Sequence, residues 1–237
     1  YLGRVFETMT DLKMWEDTAV ILMTDHGHFL GEHGYTGKPR CPQYNTLVHI
    51  PFMMYVPGCD GNGEHLNSLS ANVDVYSTVL DLFGLKPETE VHSRSLLPLV
   101  TGTEESVRDW TLYGYFGRQT NITDGTMTFM KAPKKTAADL NIYSQRWQFG
   151  KFKGSVPPLN DSLELGKFMP NTDMPVGKLP VPWDSAISPE NEDLEDYLFN
   201  IDNDPDQNNN LIDSRDASKY KALLKVALRE IQAPEEQ

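Results

Sequence analysis

The sequence predicts an α/β fold that runs on into a smaller antiparallel β-sheet plus helix subdomain. Three observations carry that prediction. Two unbroken apolar runs, at residues 19–23 and within IPFMMYVPG, are each followed by loop or helix signals, as buried strands in layered α/β folds are. From Trp110 onward the segments become short, aromatic and β-prone, with turn residues between them. An amphipathic stretch then closes the chain. The 237 residues are 39% hydrophobic, enough for a sizeable core.

Taken in order, Leu2, Val5, Phe6, Met9, Leu12 and Met14 form a helical stripe that begins abruptly. With no initiator methionine and no basic region followed by an apolar block, the opening reads as a chain cut within a larger protein. Glu16 and Asp17 lead into TAVILMTD, expected to be a strand buried on both faces of a parallel sheet. HGHFLGEHGYTGKPR, rich in Gly and His, reads as a long functional loop at the C-terminal end of that strand, where open α/β sheets place ligands. Pro51 and Pro57 bracket the second strand. Asn72 or Asp74 is expected to cap a helix through VDVYSTVLDLF that Gly84 and Pro87 end. SRSLLPLVTG reads as an extended connector.

WTLYGYFG, TMTFMKA and NIYSQRW are the strands expected of an antiparallel sheet. Repeated Pro and Gly between about 150 and 192 predict a long irregular excursion. EDYLFNID restores strand alternation, and residues 217–231 form a helix with Tyr220, Leu223, Leu224, Ala227 and Ile231 on one face. The division expected is 1–109 for the α/β part and 110–237 for the small subdomain.

A formal charge of −13 argues against a nucleic-acid surface, which needs clustered Lys and Arg. No apolar run approaches the ~20 residues that span a bilayer. Cys41 and Cys59 are too few for a disulfide framework and read as two buried thiols.

The chemistry concentrates where the first strand ends. Asp25 and His26 are adjacent there, and a carboxylate beside an imidazole can bind a divalent cation. Alone the pair is also compatible with an Asp turn cap and a backbone-bonded His. Lys38 follows across a loop holding Gly27, Gly31, Gly34 and Gly37, which let the backbone fold back toward the strand end. A lysine returned to that point holds an anionic oxygen as a point charge.

TDHGHFLGEHGYTGK resembles the sulfatase pattern of an Asp-His or Asp-Asn metal pair, a Gly, a Gly-His-Gly element and a substrate-binding lysine. The middle element here reads Glu32-His33-Gly34. HIPFMMYVPG, VDVYSTVLDLFGL, SRSLLPLVTG and YLFNIDNDPDQNNNL resemble further sulfatase elements in the same order, over roughly 1–110 and 195–230. Ser77 stands where a Pro is frequent, and Ser93 where a Gly is usual. The resemblance is to the C-terminal portion of a sulfatase-family hydrolase of the alkaline phosphatase superfamily.

It implies an alkaline phosphatase-like sheet and a formylglycine nucleophile made from Cys or Ser in a Cys/Ser-x-Pro/Ala-x-Arg motif. It also implies a divalent metal, calcium first, or manganese or magnesium in a phosphoryl or phosphonyl hydrolase. Asp25 and His26 become metal ligands, and Lys38 a substrate-anion ligand with a catalytic part in stabilising the leaving oxygen. The nucleophile motif is absent: Cys41 is followed by Pro-Gln-Tyr and Cys59 by Asp-Gly-Asn. This chain alone is therefore expected to be inactive. The implied substrates are sulfate esters, a sulfated carbohydrate or aryl sulfate, with phosphonate monoesters or phosphodiesters as the alternative and a non-catalytic binding module as a second rival. The family setting is periplasmic, secreted or lysosomal, and no address is encoded here.

Further candidates are weaker. His28, His33 and Arg40 are secondary substrate-binding candidates, with loop packing the stronger reading for the two histidines. Tyr35, Arg40 and Asn45 are candidates to line the same pocket, which spacing alone does not assign. Asp202, Asp204 and Asp206 alternate like the start of an EF-hand loop but lack its Gly and Glu, and read as a turn. Asn121 and Asn160 head glycosylation sequons. The aromatic run WTLYGYFG is read as packing rather than as a carbohydrate platform. An apolar face is expected where further sheet would pack, which favours a homo-oligomer in isolation.

Overall fold

The computed structural model describes residues 1–133, 140–144, 163–181 and 195–234. The opening stripe forms helix α1 (Leu2–Asp11), in which Met9 alone is buried. Trp15 packs edge-on against Tyr55 at 5.0 Å between ring centroids, and Tyr55 donates its hydroxyl to the Trp15 carbonyl at 2.8 Å. The first apolar run becomes β1 (Val20–Met23). The Gly-rich loop then folds into a minimal ribbon, β2 (Phe29–Leu30) and β3 (Thr36–Gly37), with a one-turn helix α2 (Asn45–Val48) and strand β4 (Phe52–Tyr55) after it.

Strands β1 and β4 pair antiparallel, Val20 opposite Tyr55 and Met23 opposite Phe52. The expectation of a parallel arrangement is corrected here. The connection from β1 to β4 brings the chain back at the end where β1 stops, and without a crossover to the start of β1 the returning strand must run backwards. Both strands are also only half-buried, rather than buried on both faces.

Helix α3 (Asp74–Leu82) forms where expected, and Gly84, at φ 66°, ends it with Leu85 N–H donating to the Leu80 carbonyl at 2.9 Å. Its cap differs from expectation. Val73 occupies the capping position without a side-chain bond, and Asp74 is fully buried instead. The Asp74 carboxylate accepts from Ala71 N–H at 2.8 Å, Arg94 N–H at 2.9 Å and the Arg108 guanidinium, whose Nε lies 3.1 Å away. The connector expected to be extended contains helix α4 (Leu97–Val100), because Pro98 sits in its first turn, where no N–H is needed. Leu96, Leu99 and Val107 gather there against Phe52.

Strands β5 (Thr111–Gly114), β6 (Thr120–Thr123) and β7 (Met127–Lys131) follow, then β8 (Leu140–Ser144), β9 (Glu164–Gly166), β10 (Val176–Val181) and β11 (Tyr197–Asn200). They make one antiparallel sheet ordered β11-β7-β6-β5 and a second ordered β8-β10-β9. The stretch expected to be an irregular excursion therefore holds two strands. β10 is pinned by buried Val176 and Leu179, and β9 pairs only as far as Lys178, leaving that side open at Pro180, which has no N–H to give. The remainder of the excursion and the end of NIYSQRW lie outside the described residues.

Helix α5 (Ser218–Glu230) buries Leu224 and Ala227 against Ile122, Phe129 and Leu198. The opposite side of the four-stranded sheet supplies Met130 and Phe199 to a cluster with Phe29, Cys41, Tyr44 and Leu47. That cluster welds the loop after β1 to the sheet. The two cysteines form no disulfide; Cys41 is buried, but Cys59 is only half-buried, against the expectation of two buried thiols. Asn121 is fully buried in β6, so its sequon is closed to a glycan in the folded chain; Asn160 lies outside the described residues. No helix among the described residues is long and apolar enough to cross a membrane.

Candidate functional site

Gly27 fixes the geometry at the end of β1. Its N–H donates to the Leu47 carbonyl at 2.8 Å, and a Cβ there would land on the Thr46 carbonyl oxygen. Only glycine lets the chain leave the strand pressed against α2, and this pressing turns Asp25 and His26 outward together.

The two side chains face a common point. His26 Nε2 lies 3.4 Å from an Asp25 carboxylate oxygen and 2.9 Å from Lys38 Nζ. Nδ1 of the same ring is 2.7 Å from the Gly27 carbonyl. A carbonyl only accepts, so Nδ1 carries the proton and Nε2 keeps its lone pair, with the Lys38 ammonium donating to it. The other Asp25 oxygen accepts from the His26 N–H at 3.0 Å, and the Asp25 carbonyl accepts from Asn72 Nδ2 at 3.3 Å.

Desolvation acts to raise the Asp25 carboxyl, but the attraction of His26 when its ring is protonated, the backbone N–H groups of Asp25 and His26, and Lys38 together outweigh it. The group is held below the ordinary carboxylate range. Asp25 is exposed and His26 half-buried, so the pair is open to solvent.

The structure thus brings Asp25, His26 and Lys38 together, as the motif implies. His33 has a different position: it stacks on Tyr44 at 3.8 Å and its Nε2 lies 2.8 Å from the Asp206 carbonyl. Asn45 donates its N–H to Gln207 Oε1 at 2.5 Å. The DNDPDQ turn expected from the sequence is therefore a clamp on the lysine loop, with Asp204 receiving the N–H groups of Asn208 and Asn209 rather than facing a cation. Glu32 is held low by hydrogen bonds from its own backbone N–H and that of Leu30, which tightens the same loop. His28 is exposed beside Gly37.

Arg40 is exposed, with its guanidinium 5.4 Å from the centre of the Tyr115 ring. Sequence reasoning missed Asn72, Gln207 and Tyr115. Their contacts span 47 residues for Asn72 and 162 for Gln207, and no local spacing carries such a signal.

As a cation site the donors are a carboxylate and an imidazole whose tautomer is already fixed, a set that fits part of a divalent coordination shell. Among the described residues no group of three or more His, Cys, Asp or Glu comes together, so these two side chains alone do not complete a coordination shell.

Comparison with known proteins shows what the chain is similar to. Residues 1–85 match the Sulfatase family. Arylsulfatase K of Canis lupus familiaris is 35% identical over 98 residues, 41% of this chain and 18% of that protein. A protein solved in complex with its substrate D-glucosamine-2-N,6-O-disulfate superimposes with a TM-score of 0.63 at 16% identity, over 99% of this chain and 38% of that one. The phosphonate monoester hydrolase of Agrobacterium radiobacter gives 0.61 at 17% identity, over 98% and 38%. The chain spans a quarter or less of the length of the relatives it matches in sequence. The match to the Sulfatase family model is thus confined to residues 1–85, and the chain as a whole has an alkaline phosphatase-like α/β fold.

Proposed function

We propose that this chain supplies part of the cation site and the anion-holding lysine of a metal-dependent sulfuric ester hydrolase. The observation that carries the reading is the convergence of Asp25, His26 and Lys38 within 3.4 Å of one ring nitrogen. In this reading Asp25 and His26 Nε2 are ligands of a divalent ion, which would polarise the ester oxygen and offset the charge that develops on it. Lys38, exposed on a flexible stem, gives its N–H donors to a sulfate oxygen and to the leaving oxygen. The Gly27 carbonyl holds the proton on His26 Nδ1, so the lone pair stays directed at the ligand side. The nucleophile, a formylglycine, comes from sequence outside this chain, since neither cysteine is in the required motif.

The Sulfatase match and the resemblance to arylsulfatase K support a sulfate ester substrate, either a sulfated sugar or an aryl sulfate. Calcium is the ion the family resemblance favours. A second reading, phosphonate monoester or phosphodiester hydrolysis with manganese, draws support from the imidazole ligand, a softer donor than calcium prefers, and from the phosphonate monoester hydrolase neighbour. The proposal includes a division at 109/110, supported by a cluster confined to residues 110–228 and another confined to 52–107.

The test is parallel assay of the full-length protein on 4-nitrophenyl sulfate and bis(4-nitrophenyl) phosphate, after chelation and after return of calcium or manganese. Higher kcat/KM on the sulfate, lost on chelation and restored by calcium, fits the first reading. Preference for the phosphodiester with manganese selects the second. Turnover of neither, with metal restored, favours a binding module that keeps the fold.

A further inference from the structure

The turn between β5 and β6 carries two large aromatic side chains that sequence reasoning assigned to packing. Tyr115 is 41% exposed and Phe116 39% exposed. The turn is closed by the Arg118 N–H donating to the Tyr115 carbonyl at 2.9 Å, with Gly117 at φ 77° taking the left-handed position. These rings are therefore held out on a defined turn instead of being folded into a core. Trp110, just before β5, and Leu112, on it, are the residues of that run that pack against the α5 cluster.

Arg40 meets this turn from the lysine loop. Its guanidinium sits 5.4 Å from the Tyr115 ring centre, inside the ~6 Å range in which the ring face attracts a cation. No salt bridge holds Arg40 among the described residues. A guanidinium held near a ring face loses rotational freedom but keeps N–H donors for a planar or tetrahedral anion. Arg40 is two residues beyond Lys38, so the two α-carbons are at most about 7 Å apart. Lys38 and Arg40 are thus two exposed cations close along the chain, the second with the exposed Tyr115 ring beside it.

We infer that Arg40, braced on Tyr115, forms a second anion subsite next to Lys38, and that the preferred substrate is a sulfated sugar carrying another anionic substituent on the same or an adjoining ring. The inference rests on the hydrolase reading and extends it to substrate class. Lys38 takes the sulfate that is cleaved, and Arg40 takes the group that stays. Phe116 offers an apolar face to the sugar ring.

The experiment uses the full-length protein and two probes, D-glucosamine-2-N,6-O-disulfate and 4-nitrophenyl sulfate, with wild type, Arg40→Ala, Arg40→Lys, Tyr115→Phe and Tyr115→Leu. Arg40→Ala is expected to raise KM for the disulfate about tenfold more than for the aryl sulfate, the loss of one charge-assisted contact. Arg40→Lys recovers part of that difference, Tyr115→Phe keeps it near wild type, and Tyr115→Leu reproduces part of the loss. Equal effects on both probes, or no effect, overturn the subsite while leaving the sulfatase reading standing. If wild type turns over neither probe, the sulfatase reading fails, and calorimetric binding of the disulfate decides the subsite separately. Binding weakened about tenfold by Arg40→Ala supports it, and binding that is absent in wild type or unaltered in the variant overturns it.

Discussion

At the scale of single residues, the Nδ1 bond of His26 to the Gly27 carbonyl decides which nitrogen is free. An imidazole with its proton fixed on Nδ1 presents Nε2 as a ligand, and Asp25 and Lys38 are placed on that side. If Lys38 holds the leaving oxygen, Lys38→Ala lowers kcat and kcat/KM together by about 10²–10³, as removal of an oxyanion donor does. Steady-state kinetics on the aryl sulfate checks this, and a rise in KM alone would assign Lys38 to ground-state binding only. Asp25, His26 and Lys38 were identifiable in the sequence because short spacing across a glycine-rich loop places them. Asn72, which holds the Asp25 carbonyl, was not, since its approach depends on the α3 entry folding against β1.

Elements follow the same division. Helices α1, α3 and α5 and strands β1, β4, β7 and β11 announce themselves through apolar periodicity, which burial enforces locally. The direction of β4 relative to β1 is set by how the intervening chain returns, and periodicity holds no record of that. The one-turn helix α4 escaped for a related reason: four residues with Pro98 leave no repeat to read.

The entry to α3 depends on one buried ion pair. Asp74 and the Arg108 guanidinium are linked in a fork with 0% and 8% side-chain exposure, and Asp74 also fixes Ala71, next to Asn72. Arg108→Ala leaves the buried carboxylate without its partner and is expected to cost about 3–5 kcal/mol. Chemical denaturation measures this, and a change below 1 kcal/mol would remove the pair from the account.

Helix α5 carries a pH-dependent term. Asp216 accepts from the Ser218 N–H and hydroxyl, both at 2.8 Å, and these bonds hold its carboxyl below the ordinary value. A depressed folded-state pKa means stability that is present above the unfolded value and lost as pH falls through the folded one. Asp216→Asn should therefore flatten the acid limb of the melting curve relative to wild type, while melting at neutral pH drops slightly. Parallel limbs in the two proteins would contradict this.

For the molecule as a whole, the sheet β11-β7-β6-β5 works as a platform. One face takes α5; the other, through Met130 and Phe199, takes the loop that carries the lysine. Gln207 and Asp206 then clamp that loop from the far end of the chain. The C-terminal third thus sets where Lys38 and Arg40 stand, a long-range dependence that no single motif in the sequence expresses.

Large apolar side chains stand exposed on α1, β4 and α3. Val5 on α1 is 52% exposed, Met53 on β4 57%, Tyr76 on α3 53% and Phe83 at its end 77%. Surfaces of this kind associate, so this 26.8 kDa chain prepared alone is expected to exceed the monomer mass in light scattering. A monodisperse monomer at tens of micromolar would count against that.

The account turns on whether Asp25 and His26 hold one cation with Lys38 beside it. Anomalous diffraction from crystals of the full-length protein grown with manganese tests this most directly. The predicted result is a metal peak within about 2.0–2.6 Å of both the Asp25 carboxylate and His26 Nε2, absent in Asp25→Asn crystals. A metal bound elsewhere with those two side chains bare, or a peak that survives Asp25→Asn unchanged, would contradict it.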